Sequence, residues 1–120
     1  MTTIPSTPND VDRAVAAFAA AHPELAHQHH AHDRCIPISE EFTALLADHG
    51  TDAEVVMGAR VGEDPRFPGV RLFLGGHYAV AVGDTVYDWT ARQFNPAAPV
   101  PLVQPLEEWR TTWADPEEVL

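Results

Sequence analysis

HYAVAVGDTVYDWT, residues His77–Thr90, decides the fold. Its valines, tyrosines, threonines and tryptophan favour pleated backbone, and the central glycine followed by aspartate suits a two-residue hairpin turn. With Gly83 and Asp84 in the turn, Val82 faces Thr85 and Val80 opposes Tyr87. Continuing the count sets Ala79 against Asp88, Tyr78 against Trp89 and His77 against Thr90. Strand side chains alternate, so His77, Ala79, Ala81, Val86, Asp88 and Thr90 share one face. His77 and Asp88 become diagonal neighbours with Cα atoms about 7 Å apart, close enough for a ring nitrogen to meet a carboxylate. The other face carries Tyr78, Val80, Val82, Tyr87 and Trp89, a bulky set that calls for a covering layer. A strand histidine is often only a satisfied core residue. An aspartate beside it on a small apolar face fits a base whose tautomer is held by an acid.

Working outward, AEVVMGAR (53–60) predicts a strand, VGEDPRFPG (61–69) a loop, and VRLFL (70–74) a further strand interrupted at Gly75-Gly76. Helices come first in the chain. Residues 1–8, with Pro5 and Pro8, read as a flexible arm, and residues 9–120 as a single domain. Asn9 or Asp10 can cap a helix in which Val11, Val15 and Phe18 recur with helical spacing, and Pro23 ends it. A second helix is expected from about Pro37 to His49, with Glu40 and Glu41 at its positive end and Gly50 at its stop. Ile38, Phe42, Leu45 and Leu46 give it one apolar stripe. After the hairpin, NPAAPVPLVQP (95–105) reads as a strap over the surface. A short helix follows with Leu106, Trp109 and Trp113 on one face, a stripe that reads as core, and then an acidic, solvated end. Helices followed by an antiparallel sheet make the class α+β.

Composition narrows the partners. A chain of 120 residues with 45% hydrophobic content supports one core. Its apolar runs fall far short of the roughly 20 residues that span a bilayer. The start, MTTIPSTPND, has neither a basic nor an apolar segment of a signal peptide. One cysteine forms no internal disulfide, as expected in a cytoplasmic protein. A net charge of −11 opposes nucleic acid and anionic membranes. All seven basic residues are arginine. GC-rich coding explains that, and so would avoidance of lysine by an enzyme that transfers acyl groups.

The cysteine is Cys35, just ahead of the second helix. A thiol attacks well only as the thiolate, and a helix N-terminus and an oriented imidazole both favour that form. Between the helices lie His22, His27, His29, His30 and His32. They allow a metal-handling alternative, since imidazoles close in sequence can converge on Zn²⁺ or Cu²⁺. No second ligand cluster accompanies them, and neither a metal nor a cofactor is expected.

RCIPISEEFTALLADHGTDAEVVMG (34–58) resembles the core helix and following strand of the transglutaminase-like group within the papain-like cysteine peptidase superfamily. HYAVAVGDTVYDWT is similar to that group's histidine strand and the D-x-T strand after it, and cysteine, histidine and aspartate follow in the same order. The resemblance runs from about Arg34 to Phe94 and implies a papain-like core with N-terminal helices on a small antiparallel sheet. It implies Cys35 as nucleophile, His77 as general base and acid, and Asp88 as the group that orients the ring. The expected reaction is hydrolysis or acyl transfer at an amide of a peptide or protein. Gln28 is the candidate side-chain donor to the oxyanion, and Gln93 a candidate substrate contact. The chain lacks a sizeable second lobe, Ala79 and Val80 stand where relatives carry a tryptophan, and Pro37 removes a backbone donor after the cysteine. The alternative is a non-catalytic, protein-binding module on the same fold.

Overall fold

The computed structural model describes residues 8–27 and 34–119. Helix α1 (Pro8–Ala21) begins at Pro8, ahead of the expected cap, because proline's fixed φ suits a first helical turn. Val11, Ala14 and Phe18 turn inward from it. Pro23 opens a single 3₁₀ turn (Pro23–Ala26) that buries Leu25. Helix α2 (Cys35–Asp48) starts two residues before Pro37, so Cys35 is its first residue. Glu40 and Glu41 therefore fall beyond the first turn, where the helix dipole no longer selects them. Glu41 instead meets Nε2 of His22 at 3.0 Å. The stop is as expected: Gly50 has φ +78°, Thr51 N–H bonds Leu46 C=O at 2.9 Å, and Gly50 N–H bonds Ala47 C=O at 3.0 Å.

The sheet is antiparallel, with strands β1 (Glu54–Glu63), β2 (Arg71–Val82), β3 (Thr85–Asp88) and β4 (Leu102–Pro105) in that spatial order. The central hairpin has the counted register, Val82–Thr85, Ala81–Val86 and Val80–Tyr87, around Gly83 at φ +59°. There the ladder stops. The expected pairs Ala79–Asp88, Tyr78–Trp89 and His77–Thr90 do not form, because β3 ends and the two strands part.

Two segments differ from the sequence reading. The runs 70–74 and 77–82 join into one strand through Gly75-Gly76, since a bulge at Arg60/Val61 and Gly75 at φ +153° absorb the irregularity. The resulting β1–β2 ribbon runs past the rest of the sheet and leaves Phe67, Val70, Leu72, Phe73 and Leu74 exposed. Residues 102–105, taken as part of a strap, pair with β3 as an edge strand, where proline is tolerated. Helix α3 (Leu106–Thr112) follows, and the acidic end forms a short helix α4 (Pro116–Val119), with Ala114 bridging to Ala59.

Each face of the sheet has its own cover. Toward α1 and α2, Val80 and Trp89 meet Phe18, Leu25, Ile38, Phe42 and Leu46. Toward α3, Ala79, Ala81, Val86 and Val56 meet Trp109 and Trp113. Full burial of each large apolar side chain contributes about 1.5–3 kcal/mol. Among the described residues, no helix is long and apolar enough to cross a membrane.

Candidate active site

The parting of β2 and β3 creates the site. The first turn of α2 docks against β2 just where β3 has left it, and the backbone N–H groups of Tyr78 and Ile36 hydrogen-bond the Cys35 sulfur. Pro37 removes one donor from this turn, but the donors that reach the sulfur belong to Tyr78 and Ile36 and remain. Cys35 is half-buried, and its neighbour Ile36 is exposed.

His77, on β2, is fully buried and hydrogen-bonds the Cys35 thiol. Its Nε2 lies 2.9 Å from Asp88 Oδ1 and 2.8 Å from Asp88 Oδ2. The diagonal contact counted from the hairpin is therefore present, reached across the opening instead of along a ladder. Asp88, 2% exposed, also accepts from the Thr90 backbone N–H at 3.3 Å and from Trp109 Nε1–H at 3.2 Å.

Rings enclose the imidazole. Trp113 lies 4.8 Å from it between centroids, and Phe94 meets it edge-on at 5.0 Å. Gly58, opposite His77 in the β1–β2 ladder, makes this cover possible. A Cβ there would collide with Trp113 Cβ and sit 2.9 Å from Trp109 Cη2.

Sequence reasoning missed the roles of Trp109, Trp113 and Gly58. The two tryptophans were expected as core, and they are core, but a buried indole N–H needs an acceptor and Asp88 supplies it. That requirement was the available signal. Gln93 comes to the site, with its side-chain amide 3.4 Å from His77 Nδ1 and 3.3 Å from Thr90 Oγ1. Gln28 lies outside the described residues, as do His29, His30 and His32. Of the other two, His22 sits between Glu24 and Glu41, 3.0 Å from each. Among the described residues, no group of three or more histidine, cysteine or acidic side chains could hold a metal ion.

The electrostatics follow from these contacts. Burial alone would push the His77 pKa down, but hydrogen bonds to Asp88 and Cys35, together with their charges, raise it from 6.5 to about 9. Burial of Cys35 disfavours the thiolate, yet the His77 hydrogen bond, the Tyr78 N–H, the imidazolium charge and the Ile36 N–H hold its pKa below the ordinary thiol value. The two shifts share one contact, which eases both ionisation of the thiol and protonation of the ring. Such a pair can attack an electrophilic carbonyl and then return the proton to a leaving group. No protein-family model, curated protein or solved structure matches the chain, so the chemistry of the site follows from its own geometry.

Proposed function

We propose that the protein is a cysteine-nucleophile amide hydrolase or acyl transferase acting on a peptide or protein, built on a papain-like, transglutaminase-like core. The observation that carries this reading is one buried imidazole bound on Nε2 by both Asp88 oxygens and hydrogen-bonded to the Cys35 thiol. A helix headed by the cysteine, packed on an antiparallel sheet bearing the histidine and aspartate, supports the family reading.

In the proposed reaction the Cys35 thiolate adds to the amide carbonyl, forming a C–S bond and an oxyanion. The Cys35 backbone N–H, an orphan donor of the helix's first turn, and the Gln93 side-chain amide are the donors offered to that oxyanion. The His77 imidazolium gives its proton to the nitrogen as the C–N bond breaks. Water or an amine then attacks the thioester, losing a proton to His77 as the C–S bond breaks and the thiolate returns. Asp88 keeps the ring orientation and balances its charge throughout.

The test is the rate at which iodoacetamide alkylates Cys35. At pH 6 a free thiol is only about 0.3% ionised, so wild-type protein should react at least tenfold faster than free cysteine. His77→Ala should remove that advantage. Equal rates for wild type and free cysteine would refute the reading.

One observation favours the second reading, a protein-binding module. The ribbon and its tip expose Phe67, Val70, Leu72, Phe73 and Leu74, apolar side chains of the kind that partners cover. On that reading Cys35 reacts no faster than a free thiol.

A further inference from the structure

Arg60 is held differently from the arginines that have polar partners. Arg34 pairs with Glu24, Arg66 pairs with Asp64, and Arg92 and Arg110 donate to backbone carbonyls. Arg60 has neither a carboxylate nor a carbonyl partner among the described residues. Its guanidinium lies over two rings instead, 5.1 Å from the Trp113 centroid and 5.7 Å from that of Phe94. These are the rings that enclose His77. Stacking fixes the plane of a guanidinium while leaving its N–H edge open, the arrangement suited to two-point recognition of a carboxylate.

The surroundings favour the same ligand. Arg60 stands on the wall of a cavity of about 360 Å³ that Asn95, Gln104 and Thr112 also line. Asp88 forms part of that wall, but its oxygens are already engaged by His77 and Trp109 and it is 2% exposed. The exposed charge at the cavity is therefore that of Arg60. In a chain of net charge −11, a cation over the rings that enclose His77 is a local exception to the repulsion that an acidic ligand would meet.

We propose that Arg60 and this cavity form an anion subsite that selects substrates carrying a carboxylate near the amide attacked by Cys35. The proposal rests on the thiol chemistry argued above. The carboxylate can be an acidic side chain or a chain terminus, since both present the same two oxygens.

The test uses N-iodoacetyl derivatives of one, two and three glycines, each as the free acid and as the terminal amide. A second pair, N-iodoacetyl-glycyl-glutamate amide and its glutamine counterpart, carries the carboxylate on a side chain. In every case the sulfur forms a bond to the iodoacetyl carbon and iodide leaves, so only the carboxylate varies. At one spacer length the acid should alkylate Cys35 roughly tenfold faster than its amide, relative to the same ratio with free cysteine. Preference among the acids tells terminal from side-chain recognition.

Arg60→Met, which keeps an apolar stem on the rings, should return the acid-to-amide ratio to that of free cysteine. Arg60→Lys should keep part of the preference, and raising ionic strength should erode it in wild type without any substitution. Taking the ratio cancels any change in the thiol's own reactivity. An acid-to-amide ratio equal to that of free cysteine at every length, or a preference untouched by Arg60→Met, would overturn the subsite. Slow reaction of wild type with the neutral amides would instead overturn the thiol chemistry on which it rests.

Discussion

On the helical face of the sheet, Phe18, Phe42 and Trp89 meet one another with ring centroids 4.7–5.1 Å apart, and the Trp89 indole N–H is buried without an acceptor among the described residues. On the opposite face Trp109 is as deeply buried, yet its N–H is spent on Asp88 and its neighbour Trp113 covers His77. The same residue type thus fills space on one side and holds a carboxylate on the other. The difference suggests that the helical face supplies stability in bulk while the other face gives up some of it to keep a polar pair dry and oriented.

The strongest way to break that comparison is Phe42→Ala. Loss of this ring from the helical face should cost about 3–5 kcal/mol in a urea titration. The fraction that stays folded should still alkylate rapidly at Cys35. Gly58→Ala attacks the other face and should cost about 1–3 kcal/mol by overpacking. Because the added methyl displaces Trp113 from above His77, the alkylation rate at pH 6 should fall with it. A Gly58→Ala protein that is destabilised but fully reactive would separate the tryptophan cover from the chemistry.

Matched tryptophan substitutions come next. Trp109→Phe removes a hydrogen bond to a charged group and should cost about 1.5–3 kcal/mol. Trp89→Phe removes a donor with no partner among the described residues, so it should cost less than Trp109→Phe in the same chemical denaturation assay.

The smallest effect is a slope in pH. His77, raised to about 9, contributes stability that is complete below its ordinary 6.5 and lost as pH rises through 9. Cys35, lowered, contributes stability present above the unfolded thiol value and lost as pH falls through its folded one. Between pH 6.5 and about 8.5 the two slopes oppose each other wherever they overlap, so wild-type stability should change less with pH than either contribution alone. Cys35→Ser removes one side of the balance. Its stability should then decline as pH climbs through that interval, and a flat curve for the variant would count against the imidazolium.

The hairpin was readable because Gly83-Asp84 fixes a register by counting, and the helix stop because only a residue tolerant of positive φ suits Gly50. The start of α2 was misjudged by two residues, since proline marks a first turn without saying which position in it. The unbroken β2 was hidden by Gly75-Gly76, which resemble an interruption but serve a bulge. Strand β4 lacked the alternation of a half-buried strand and is recruited by pairing with β3. At the site, His77 and Asp88 could be joined by short-range geometry. The contacts from Trp109, Trp113 and Arg60 depend on how distant segments fold over the sheet, which local periodicity does not encode.

The projecting β1–β2 ribbon bears on solubility. Exposed Leu72, Phe73 and Leu74 lie in a strand whose outer backbone is not paired by β3, the combination that invites edge-to-edge stacking between molecules. Many proteins guard such edges with lysine, and this chain has none. Arg60, Glu63, Arg66 and Arg71 are the exposed charges on the projecting part of the ribbon and its tip, so keeping copies apart in concentrated solution falls to these side chains.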